Sequence, residues 1–140
     1  MISCTRKIEF DAGHRILKHE SKCKFLHGHR YVIEASFVGD GLDSIGRVID
    51  FGVVKELLGD WVDSNWDHTT ILCEQDKEIG DAISQATGQK IFYMQSNPTA
   101  ENMAEYLIAT VCPQLFTAED IKCVKLRLYE TPNCYAEVTL

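Results

Sequence analysis

An α+β fold is predicted by three features: period-two alternation of apolar residues near the N-terminus, helical spacing in the middle, and two apolar runs around a turn at the C-terminus. The implied element order is β-β-α-α-β-β, with antiparallel pairing argued from the closing hairpin. Over residues 4–14, Ile8, Phe10, Ala12 and His14 share one parity while Lys7, Glu9 and Asp11 take the other, as in a half-buried strand. Residues 15–26 read as a loop. Alternation resumes with His27, His29, Tyr31, Ile33, Ala35 and Phe37, until Gly39-Asp40-Gly41 ends the second strand. Asp50 is a plausible cap for a helix whose apolar positions are Phe51, Val54, Leu57, Leu58, Trp61 and Val62. A second helix starts near Asn97-Pro98-Thr99, with the proline suited to a first turn, and presents Met103, Ala104, Leu107 and Val111. Between the helices, residues 79–86 read as a short helix and 90–94 as a short strand. In the closing hairpin, Val124, Leu126 and Leu128 face one way, Thr131-Pro132-Asn133 turns, and residues 135–140 return.

The chain has 140 residues, 45% of them hydrophobic and 25% charged, so a single domain over 1–140 with a real core is expected, and neither disorder nor a membrane span fits. Residues 1–7 reach charge at once without an apolar signal core, which points to the cytoplasm. Six scattered cysteines, none in a C-x-x-C pair, agree with a reducing compartment and read mostly as small buried hydrophobes. The net charge is −7, yet residues 14–30 carry +4, leaving −11 on the remainder. Such a balance disfavours nonspecific nucleic-acid binding and suits a small anion steered to one basic loop, although a merely solvated lysine-rich loop has the same composition.

Four features depart from plain core. In His27-Gly28-His29 both imidazoles project to one face of a strand, and the parity of the first strand places His14 inward. If the two strands pair, three neutral imidazoles converge, a set that suits zinc with a fourth position left open. His19, in the loop, reads as solvent-exposed. Cys23 lies between Lys22 and Lys24, two cations that favour thiolate over thiol. Asp67-His68 follows the first helix; a carboxylate beside an imidazole can hold its tautomer, though such pairs are also common on surfaces. Glu130 continues the row Val124, Leu126, Leu128, where a carboxylate needs donors such as ligand N–H groups unless it turns to solvent.

Together these residues resemble the 6-pyruvoyltetrahydropterin synthase and 6-carboxytetrahydropterin synthase family over nearly the whole chain. The resemblance runs through Phe10-Asp11-Ala12-Gly13-His14-Arg15, Cys23-Lys24-Phe25-Leu26-His27-Gly28-His29 and Gly46-Arg47-Val48-Ile49-Asp50-Phe51. It continues in Leu57, Asp67-His68, Asn97-Pro98-Thr99-Ala100-Glu101-Asn102 and Tyr129-Glu130-Thr131. It implies a tunnelling fold: a four-stranded antiparallel sheet with two helices on one face, trimers closing into a barrel, and two trimers stacking into a homohexamer with sites at subunit interfaces. It implies zinc on His14, His27 and His29, Cys23 as proton acceptor, Asp67 and His68 as a relay, and Glu130 as pterin anchor and relay member. Thr99 and Ala100 would frame the pterin.

Three residues separate Cys23 from His27, as in the bacterial enzymes of queuosine biosynthesis; animal pyruvoyl synthases have a longer interval. The stretch between His68 and Asn97 is longer than in some bacterial relatives. The implied reaction converts 7,8-dihydroneopterin triphosphate to 6-carboxy-5,6,7,8-tetrahydropterin, releasing acetaldehyde and triphosphate without a redox cofactor. Arg15, Lys18 and Lys24 are the candidates for the triphosphate. A 6-pyruvoyl product, an aldolase product, a zinc hydrolase and a zinc-stabilised binding module stay open as alternatives.

Overall fold

In the computed structural model, which describes residues 1–140, β1 (Ser3–His14) and β2 (His27–Gly39) form a long antiparallel pair. Their register sets Phe10 against Tyr31, Ala12 against His29 and His14 against His27. Directly opposed residues share a face, so the predicted apolar rows of the two strands merge into one inward surface. β5 (Ile121–Thr131) pairs antiparallel with β2, and β6 (Cys134–Thr139) with β5.

The sheet has six strands, not four, in the order β4 (Ile91–Met94), β3 (Thr69–Cys73), β1, β2, β5, β6. The additional two are β3, parallel to the end of β1, and β4, parallel to β3. The strand expected over 90–94 is present, whereas β3 escaped sequence reading. All five of its residues are buried, so it lacks the polar–apolar alternation that marks a half-exposed strand. Parallel pairing needs a crossover, supplied between β3 and β4 by α2 (Lys77–Thr87), close to the short helix expected there.

Helix α1 spans residues 51–65 and α3 residues 100–115, each with one widened turn, at Lys55–Gly59 and Leu107–Val111. Asp50 caps α1 by accepting from the Gly52 N–H at 2.7 Å. The buried stripe of α1 is narrower than its apolar content suggested: Val54, Leu58 and Val62 are enclosed, while Phe51 and Leu57 are exposed. Thr99 caps α3 through the Asn102 N–H, and Pro98 precedes the cap instead of occupying the first turn. Both helices join the inward sheet face in one core that includes Phe10, Tyr31, Ile33, Leu58, Leu107 and Leu128. Full burial of each such side chain contributes roughly 1.5–3 kcal/mol before ordering entropy is counted. A register shift between Ser36 and Phe37 sets Cys123 across from Phe37, so Cys123 is buried where the expected row placed Val124. No helix is long and apolar enough to cross a membrane.

Candidate metal centre

The ends of β1 and β2 bring His14, His27 and His29 together, with ring centroids 4.6, 5.0 and 4.9 Å apart. Glu130, near the end of β5, joins them, and one ligand atom from each of the four residues lies within 4.8 Å of the others. Tyr31 forms the floor, its ring 5.9 Å from His14 and 5.6 Å from His29. The sequence had placed Glu130 at the substrate without foreseeing that it would also stand among the histidines.

Hydrogen bonding decides what the cluster can hold. His14 Nδ1 lies 2.8 Å from the Pro98 carbonyl and His27 Nδ1 lies 2.7 Å from the Phe25 carbonyl. A carbonyl only accepts, so each neutral ring carries its proton on Nδ1 and leaves Nε2 bare. The two Nε2 atoms face each other at 3.1 Å, two lone pairs in contact with no proton between them. A tetrahedral ion with metal–nitrogen bonds of about 2.0–2.1 Å would hold its nitrogens about 3.3 Å apart, close to that separation. His29 Nε2 is buried and lacks a hydrogen-bond partner. Glu130 Oε1 is 3.0 Å from it without the alignment of a hydrogen bond. Burial holds His14 down to about 4, opposed by the Pro98 carbonyl and reinforced by His27 and His29; the ring stays neutral, as a ligand must. Burial also lowers His29, against the pull of Glu130. The donor set and its bare nitrogens fit a divalent ion.

The loop between β1 and β2 is strapped beside this centre. The Ile16 N–H donates to the Cys23 carbonyl at 2.8 Å, closing the loop on itself. Arg15 pairs with the buried Asp76 and donates to the Lys24 carbonyl. Asn97 supplies a clamp the sequence did not reveal: its side chain accepts from the Leu17 N–H and donates to the Leu17 carbonyl, both at 3.0 Å. Its own carbonyl receives the Thr99 N–H and the Asn102 side chain, tying the loop to the start of α3. Cys23, half-buried in the single turn Lys22–Lys24, is outside the group of four potential ligands. Lys24 lies over the Phe25 ring at 5.3 Å, and Lys18 takes a left-handed φ of 63°. His19 accepts from the Ser21 N–H and is not part of the cluster.

Asp67 and His68 form the expected pair, with His68 Nδ1 2.9 Å from the carboxylate. The other Asp67 oxygen accepts from the Asp11 N–H, and the His68 N–H donates to the Asp11 carbonyl. Burial pushes Asp67 up, but the Asp11 N–H and His68 outweigh it and hold the carboxyl below its usual range. The same carboxylate raises His68. His68 is 77% exposed and sits with Asp11 and Arg30, whose side chains alternate with Ala12, His14 and His29 along β1 and β2. Within one chain the pair therefore occupies the sheet face opposite the histidine cluster. His68 and Lys18 are the two non-glycine residues at positive φ, a conformation costing roughly 1–2 kcal/mol and often retained where function requires it.

Beside Glu130 lies a cleft of about 400 Å³, lined also by Ala100, Glu101, Cys134 and Tyr135. Ala100 reaches its wall, while the Thr99 hydroxyl is engaged in capping α3.

The family described as 6-pyruvoyl tetrahydropterin synthase matches residues 3–140. The 6-carboxy-5,6,7,8-tetrahydropterin synthase of Rickettsia conorii is 55% identical over 138 residues, covering 99% of this chain and 100% of that one. The enzyme of the same name from Aquifex aeolicus is 30% identical, covering 95% and 94%. Among solved structures, an uncharacterized protein from Wolinella succinogenes superposes with a TM-score of 0.80 at 18% identity, covering 99% of this chain and 97% of that one. The Caenorhabditis elegans 6-pyruvoyl tetrahydropterin synthase gives 0.70 at 21% identity, covering 99% and 95%. These structures share the fold. The chain belongs to the 6-pyruvoyl tetrahydropterin synthase family.

Proposed function

We propose that this family member is a zinc-dependent lyase of the cytoplasm, acting in queuosine (7-deazaguanine) biosynthesis. It would convert 7,8-dihydroneopterin triphosphate and water to 6-carboxy-5,6,7,8-tetrahydropterin, acetaldehyde and triphosphate. The observation that carries the reading is the convergence of bare Nε2 atoms from His14 and His27 beside the unpartnered His29 Nε2. Full-length identity to relatives named for this product supports the choice of reaction.

His14, His27 and His29 would hold the zinc, which would supply Lewis acidity for removing protons from the substrate side chain. Glu130 anchors the pterin by accepting from its amide and amino N–H groups, with Ala100 and Thr99 framing the ring. Cys23, as thiolate, takes a proton from the substrate side chain. Asp67 accepts from His68 Nδ1–H, leaving Nε2 to return a proton. Arg15, Lys18 and Lys24 attract the triphosphate, Arg15 while sharing its charge with Asp76. Since Asp67 and His68 face away from the cluster of their own chain, a second copy is needed to bring a relay to each centre. The homohexamer, a dimer of trimers, meets that need.

A zinc-stabilised binding module is the rival reading, because Glu130 would close the shell as a fourth protein ligand. Mass spectrometry of products from the triphosphate substrate, with acetaldehyde trapping, tests the proposal. A carboxylated pterin with trapped aldehyde supports it. A pyruvoyl product without aldehyde moves the chain to the other branch, and unchanged substrate in the metal-loaded protein overturns the reading.

A further inference from the structure

The segment that joins β3 to β4 carries a residue that reaches the Asp67–His68 pair. The two strands run parallel with Thr70 opposite Ile91, so two steps earlier Gln89 stands opposite His68. α2 ends at Gly88, whose left-handed φ of 76° turns the chain back toward β3. There the Gln89 N–H donates to the Thr87 hydroxyl, and the Gln89 side-chain Nε2 donates to the His68 carbonyl, both at 3.1 Å. The buried Thr70 hydroxyl donates to Gln89 Oε1 at 2.6 Å, which leaves Nε2 as the end facing His68. A carbonyl only accepts, so the two contacts agree on one orientation of the amide. On its other side the His68 N–H donates to the Asp11 carbonyl at 2.7 Å. In an extended chain successive side chains point to opposite faces, so Asp67 and His68 meet only because the backbone leaves that form at His68, where φ is 58°. Such a conformation is unfavourable for a residue with a Cβ and persists where surrounding bonds hold it.

We propose that Gln89 is a positioning residue for the Asp67–His68 relay: its amide grips the His68 carbonyl and holds the left-handed turn that folds the imidazole onto Asp67. The assignment rests on the reading of that pair as the relay, and it gives the stretch between His68 and Asn97 a task the sequence did not reveal. Thr70 fixes the amide, the amide fixes the carbonyl, and the carbonyl fixes the turn. Asp67 then keeps His68 Nδ1 at 2.9 Å, and a side chain 77% exposed offers Nε2 to a second copy. Gln89 acts through His68 and moves no proton itself, since an amide does not titrate near neutral pH. Without that amide the His68 peptide relaxes toward the extended form, which carries the imidazole away from Asp67. Asp11 and Arg30, the other charged groups beside His68, lie on β1 and β2 and stay in place.

The test compares Gln89→Ala with the parent, both full-length and metal-loaded, by imidazole proton NMR of His68 and by steady-state kinetics. The His68 titration should move down toward the ordinary histidine value as the bond to Asp67 loosens, with metal content unchanged. The kcat should fall by about 10-fold or more with KM kept, because a displaced proton donor slows the chemical step without touching binding. Gln89→Met keeps the length of the side chain without its amide; it should behave as the alanine variant does, and serves if that one folds poorly. Thr70→Val combined with Gln89→Ala should lower kcat no further than Gln89→Ala alone, since both act along one chain of bonds. Lys90→Met is the control: it removes another bond of the same segment, from Lys90 Nζ to the Ser64 carbonyl at 2.7 Å, and should leave the His68 titration in place. An unmoved titration in both Gln89 variants, or an equal shift in Lys90→Met, would overturn the assignment. The titration is read on the resting protein, so a parent without pterin turnover would refute the lyase reading while the NMR result still decides whether Gln89 holds His68.

Discussion

Replacing Asn97 by alanine tests whether the loop carrying Lys18 and Cys23 is held by side-chain hydrogen bonds. The substitution removes the bonds to both backbone groups of Leu17, each 3.0 Å long and partly buried. At about 1 kcal/mol per bond, and with water able to reach the loop once it loosens, the loss should be about 2 kcal/mol. Spread over the unfolding entropy of 140 residues, that corresponds to a melting temperature lower by about 7 °C. Denaturant melts at fixed protein concentration and fixed metal content measure it, since binding and assembly shift apparent stability. Metal stoichiometry should stay unchanged, because His14, His27 and His29 keep their places on β1 and β2, while turnover falls as the Cys23 loop loosens. A loss under about 0.5 kcal/mol would show that the clamp is not what holds the loop. A drop in bound metal would show that the loop and the centre are one unit.

His27→Ala should abolish stoichiometric metal binding measured by elemental analysis, since it removes one of the two nitrogens facing each other at 3.1 Å. In Asp67→Asn the His68 titration, followed by imidazole proton NMR, should move down toward the ordinary histidine value, because the carboxylate favours the imidazolium. The stabilisation from that pair is complete below the unfolded histidine value and is lost as pH rises through the raised folded one, so an unmoved titration would dismiss the pairing. Cys23→Ala should lose turnover at least 100-fold while retaining metal, in keeping with the usual contribution of a proton acceptor; full activity would remove its assigned role. Glu130→Ala should weaken pterin binding in calorimetry with metal retained, whereas loss of the metal would favour the binding-module reading.

The clustering of the three histidines was legible because strand parity is local. Covalent geometry alone puts His27 and His29 on one face and His14 in the inward row, so pairing β1 with β2 suffices to gather them. The cap Asp50 was legible for the same reason: it acts within two residues of itself. β3 was not, because a strand buried on every residue leaves no alternation to read, and neither was the narrower stripe of α1, which depends on what packs against it.

By itself the sequence determined which side chains share a strand face and where helices begin, since backbone stereochemistry imposes both over a few residues. Tertiary structure decided that Asp76 engages Arg15, that Asn97 clamps Leu17, that Glu130 stands among the histidines, and that Asp67 and His68 face the other way. Each of those depends on the order and register in which distant segments pair. Register is set by how well whole surfaces are buried together, a sum over many residues that no short motif records.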